Sequence, residues 1–84
     1  IALCERLAPR QRECLRHVYR LKTSKEIALE LGLGVGTVDT YISEAVAILR
    51  ARNRRHAAEL FHAFEDAAMT PRKMQLENTG VGTG

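Results

Sequence analysis

The tightest constraint on this chain is a three-residue break, Gly32-Leu33-Gly34, between two stretches that both read as helix. So short a turn forces the flanking helices to cross steeply. Close crossing needs a small side chain where the backbones meet, and Ala28 supplies it. The sharp turn needs a residue that tolerates positive φ, and Gly32 supplies that. The second helix must then anchor on the core with apolar side chains, here Val38 and Ile42. Together these spacings make a helix-turn-helix signature. An ordinary helical hairpin in an all-α domain is the alternative reading of the same residues.

Apolar spacing and end signals predict four helices and no strand. The first covers about 9–20. Pro9 suits its first position, where a missing N–H is harmless. Cys14, Leu15 and Val18 make its buried face, and Arg12, Arg16 and Arg20 an outward stripe that reads as solvated or as facing phosphates. The second covers about 24–31, with Thr23 and Glu26 at capping-box spacing and Ile27, Ala28 and Leu31 on one face. The third covers about 35–49 behind Gly34, an acceptable N-cap. It buries Val38, Ile42, Ala45, Val46 and Leu49, and Gly36, Thr40, Ser43 and Ala47 recur on another face. The fourth starts after Asn53 and runs to about 68, with Ala57, Leu60, Phe61, Phe64 and Ala68 together. Residues 1–69 thus read as one all-α, four-helix domain. Residues 70–84, with Pro71 at the start and Gly-Val-Gly-Thr-Gly at the end, read as a flexible tail.

Composition narrows the function. A chain of 84 residues holds one modest core, and its few aromatics make that core aliphatic. No apolar run approaches the roughly 18 residues of a membrane span, and no signal peptide opens the chain. Cys4 and Cys14 are too few and too far apart for a disulfide framework or a zinc site, so they read as reduced thiols, Cys14 in the core. These features favour the cytoplasm. His17, His56 and His62 have no metal spacing and read as surface or interface residues. There is no nucleophile–base pair, no paired carboxylates, no phosphate-cradling glycine loop and no metal cluster, so neither an enzyme nor a cofactor is expected. The chain opens on Ile1 rather than Met, which reads as a piece of a longer protein with an N-terminal regulatory domain or protein partner.

The net charge of +3 says less than its distribution. Residues 1–25 carry a balance of +5, residues 26–49 one of −4 with no Lys or Arg, and residues 50–55 one of +4. Two basic blocks flank an acidic middle.

Leu7-Ala8-Pro9-Arg10-Gln11-Arg12-Glu13, Ser24-Lys25-Glu26-Ile27-Ala28, Leu31-Gly32-Leu33 and Gly36-Thr37-Val38 together resemble the LuxR-type (GerE-like) DNA-binding domain. The likeness covers residues 7 to about 64 without gaps. It implies a bacterial transcription regulator whose third helix lies in the major groove of double-stranded DNA and whose fourth helix pairs in a homodimer. Carried over by position, Lys25 sits near the DNA backbone and Thr37 on a phosphate. Asp39, Thr40 and Ser43 take the slots that face base edges. Ala57, Leu60, Phe61 and Phe64 serve the dimer or the domain's own core.

Four positions depart from the family's usual residues. Ala8 replaces the usual Thr that caps the first helix, at roughly 1 kcal/mol. Leu21 and Arg50 stand where the family usually has Gly, so the third helix is expected to run on toward Asn53. Asp39 stands where Lys or Arg is common, and with Glu44 it would oppose the phosphate field. As a base reader, Asp39 would accept from cytosine N4, while the Thr40 methyl touches thymine. The competing function is a protein-interaction module on the same fold, with weak or no DNA binding, which an acidic reading helix also suits.

Overall fold

The computed structural model describes residues 3–77, with side chains through residue 68. A 3-10 turn, Leu3–Arg6, precedes α1 (Pro9–Tyr19), α2 (Ser24–Leu31), α3 (Val35–Leu49) and α4 (Arg54–Glu77). The described residues contain helices and no strand. α1 and α3 form the centre; α4 lies against α1, α2 against α3, and the 3-10 turn against α3 and α4. Phe61 of α4 is the largest fully buried side chain and sits among Leu15, Ile27, Val38, Ile42 and Cys14. Each such aliphatic or aromatic side chain stabilises the fold by about 1.5–3 kcal/mol relative to exposure. Val46 and Leu31, expected inside, are half-buried against this core.

The helix starts follow local chemistry. Thr23 and Glu26 form the expected reciprocal box: Thr23 Oγ1 accepts from the Glu26 N–H at 3.2 Å, and Glu26 Oε1 accepts from the Thr23 N–H at 2.8 Å. Asn53 Oδ1 accepts from the His56 N–H at 2.8 Å and caps α4. Ala8 has no side-chain oxygen to give, yet Gln11 still reaches back and accepts from the Ala8 N–H at 2.8 Å. The first helix therefore keeps half of a capping box.

The helix ends share one device. After α1, Leu21 N–H donates to Val18 O and Lys22 N–H to His17 O. After α2, Leu33 N–H donates to Ala28 O, and after α3, Arg50 and Ala51 N–H donate to Ala47 O and Val46 O. Each reversal puts one residue in the left-handed region: Leu21 at φ 65°, Gly32 at 69° and Arg50 at 56°. This corrects the expectation that α3 runs on toward Asn53. It ends at Leu49, because Ala51 packs on the core and the chain must turn back to start α4. Tertiary burial overrides the steric preference of a non-glycine residue at 50.

The fourth helix departs the other way. The sequence reading ends it near residue 68 and starts the tail at 70, whereas the helix continues to Glu77. A single internal Pro removes one ladder hydrogen bond, and the residues around Pro71 (Arg72, Lys73, Met74, Gln75, Leu76) favour helix. The rest of that tail, residues 78–84, lies outside the described residues.

Candidate nucleic-acid interface

The geometry of the α2–α3 unit comes from its turn. Gly32 takes φ 69° and ψ 36°, and Gly34, in extended conformation, opens α3. Ala28 is buried where the two helices meet, and Val38 and Ile42 pin α3 inward. The opposite face of α3 carries Gly36, Thr37, Asp39, Thr40, Ser43 and Ala47, all exposed. Lys25, in the first turn of α2, is exposed as well. Thr40 Oγ1 donates to the Gly36 carbonyl at 3.0 Å, which engages its hydroxyl within the helix.

Both acids of α3 are held from inside the domain. Asp39 Oδ1 accepts from the Ser24 hydroxyl at the start of α2 and from Arg54 Nη2 at the start of α4, the latter at 3.0 Å. The Ser24 hydrogen bond and then the Arg54 contact hold the Asp39 carboxyl below its ordinary value. Glu44 Oε1 accepts from Gln11 Nε2 at 3.0 Å, and Gln11, itself buried, thus ties the start of α1 to the middle of α3. Of the two acids of α3, Asp39 is thus paired with a cation, whereas Glu44, exposed, keeps its charge beside a neutral amide.

Four side chains of the first basic block are similarly engaged. Arg12 donates to the carbonyls of Leu7, Cys4 and Glu5 and closes the 3-10 turn. Arg16 makes a two-pronged bridge to Glu65 across α1 and α4, with its guanidinium 5.5 Å from the Phe61 ring centre. Arg10 pairs with Glu13, and Lys22 with Glu30, whose carboxyl is lowered chiefly by that contact. Two arginines of the α1 stripe, Arg12 and Arg16, are thus clamps, while Arg20 is exposed. By contrast Arg50, Arg52 and Arg55 are exposed around the start of α4.

On α4, Ala57 and Phe61 are fully buried within the chain, Phe64 is half-buried against the core and Leu60 is 38% exposed. Of the four residues assigned to pairing or packing, Leu60 is thus the exposed one. His62 stacks on Tyr19 with ring centres 3.9 Å apart. His17 is mostly buried rather than superficial, with Nδ1 3.6 Å from Glu30 and no hydrogen bond. Cys4 and Cys14 are free and buried, and burial pushes both thiols up.

Sequence reasoning missed Ser24 and Arg54 as partners of Asp39. Each lies fifteen residues away, one on either side, and no local spacing rule reaches that far. The one available signal is the lone Asp on a helix without Lys or Arg, beside a cluster of four arginines. Among the described residues no group of His, Cys, Asp or Glu could hold a metal ion, and no helix is long and apolar enough to cross a membrane.

Residues 5–61 match the family described as bacterial regulatory proteins, luxR family. Over 54 residues, 64% of this chain, the sequence is 48% identical to the uncharacterized transcriptional regulatory protein YvfU of Bacillus subtilis (strain 168). That stretch is 27% of the relative, so the chain spans about a quarter of its length. No solved structure matches the chain significantly. The family match takes in α1, the whole α2–α3 unit and the start of α4; the chain belongs to the luxR family of bacterial regulatory proteins.

Proposed function

We propose that this domain binds double-stranded DNA as the DNA-binding part of a bacterial transcription regulator, with α3 in the major groove. The carrying observation is the exposed face of α3. It is built of small and hydroxyl side chains, its two acids are engaged by Arg54, Ser24 and Gln11, and exposed arginines stand at the start of α4. A helix with so low a profile approaches base edges closely. Lys25, Thr37, Arg50, Arg52 and Arg55 contact phosphates, and these contacts fix register without reading sequence. Thr40, its hydroxyl engaged by Gly36, offers its methyl to a thymine methyl, and Ser43 reads a base edge by hydrogen bonding. Asp39 sits in the same row with its Oδ1 taken by Ser24 and Arg54, contacts that compete with its reading a base.

Pairing of two copies through α4 fits the exposed Leu60, with the exposed small residues Ala63 and Ala67 one and two turns on. The greater length of the relative supports a further, regulatory domain in the same protein. DNA as the target puts its work in the cytoplasm. The protein-interaction reading draws on one observation, the absence of Lys and Arg from residues 35–49. Titration of a random-sequence duplex at two salt concentrations decides between them. DNA binding predicts a log–log salt slope of about −0.9 per phosphate contact. No binding at low salt overturns the proposal and leaves the protein-interaction reading.

A further inference from the structure

We propose that Asp39 is an intramolecular counterion that withholds Arg54 from DNA phosphate, lowering the domain's affinity for sequences of every kind. This rests on the DNA-binding reading above and names a pair of residues that tunes it. Arg54 is positioned for a phosphate: its guanidinium lies 3.0 Å from a carboxylate on the exposed face of α3, with Arg55 exposed beside it. Both side chains of the pair are substantially open to solvent, at 40% and 51%, so neither is locked in by burial. What holds the pair is convergence. The Ser24 hydroxyl fixes Asp39 from α2, and the fixed carboxylate in turn fixes Arg54.

The consequence is one of overall strength. A phosphate contact adds affinity for every sequence alike. Removing one lowers specific and non-specific binding by the same factor and leaves the base contacts of Thr40 and Ser43, and so the ratio between sequences, unchanged. Asp39 thereby sets how tightly, and with what salt dependence, the domain holds DNA without touching a base.

The test is a four-protein cycle: wild type, Asp39→Asn, Arg54→Gln and the double variant, each titrated against a random-sequence duplex between 50 and 200 mM salt. Asn at 39 keeps an oxygen to accept from Ser24 and loses the charge that holds Arg54. Circular dichroism melts check that all four fold. Asp39→Asn is expected to steepen the salt slope by about 0.9, about a 3.5-fold greater loss of affinity over that range. Arg54→Gln alone is expected to leave the slope near wild type, and the double variant to match Arg54→Gln. A full-unit flattening by Arg54→Gln alone means that Arg54 already contacts phosphate and overturns the proposal. So does a steepening by Asp39→Asn that persists with Gln at 54, because the effect then belongs to the Asp39 charge itself. Failure of all four to bind at low salt overturns the DNA-binding reading and the proposal with it.

Discussion

A leucine at φ 65° and an arginine at φ 56° are unfavourable backbone states, at roughly 1–2 kcal/mol each by steric conflict of Cβ with the carbonyl. Leu21 is also 67% exposed, so its side chain returns little by packing. Leu21→Gly is therefore expected to raise stability by about 0.5–1 kcal/mol, after the added freedom of Gly in the unfolded chain is deducted. Gly32 sits in the same conformation with nothing within 4 Å of where a Cβ would stand. Gly32→Val should still lower stability by about 1 kcal/mol or more, because the penalty is in the backbone and a β-branched side chain enlarges it. Thermal melts of both variants read the opposite signs, and equal signs would contradict the left-handed assignment. Asp39 bears on pH. Its carboxyl is held below the ordinary 3.8 by Ser24 and Arg54. A depressed folded-state value means stability that is present at neutral pH and lost as acid protonates the group below its ordinary range. Asp39→Asn should therefore flatten the acid limb of a stability-against-pH curve while leaving its shape above pH 6 unchanged.

Among the elements, what was legible in the sequence is what is local. The Thr23–Glu26 box, the Asn53 cap, Pro9 at the head of α1 and Gly32 after α2 all act within about one helical turn. The same logic makes Ala8 a testable gap. Gln11 supplies its half of a capping box and Ala8 cannot supply the other. Ala8→Ser should complete it and stabilise α1 by about 0.5–1 kcal/mol, measured as a rise in Tm. What was not legible depends on partners far along the chain. Gln11 meets Glu44 across 33 residues, and Arg16 meets Glu65 across 49. The arginine stripe on α1 reads from its spacing as a solvated or a phosphate-facing side, and only the packing of α4 turns Arg16 into a clamp. The end of α3 at Leu49 follows the apolar spacing, which stops there; Arg50, a poor residue for the left-handed turn, argues locally for a longer helix, and the packing of half-buried Ala51 overrides it.

For the molecule as a whole, α4 divides its work between two faces. Phe61 is 1% exposed and fills the centre of the core, so Phe61→Ala should cost about 3–5 kcal/mol and unfold much of the domain near physiological temperature. It reports on folding and says little about pairing. Leu60, at 38% exposure, separates the two. Leu60→Glu should leave the melt within about 0.5 kcal/mol of wild type and abolish any concentration-dependent association seen in sedimentation. Unchanged association would place pairing elsewhere than on this face. The short connections between helices carry a further implication. Only residues 20–23, 32–34 and 50–53 join the four helices. With so little slack, no helix can swing without breaking the hydrogen bonds that finish its neighbour. Whatever this domain binds thus meets a surface that is already in shape.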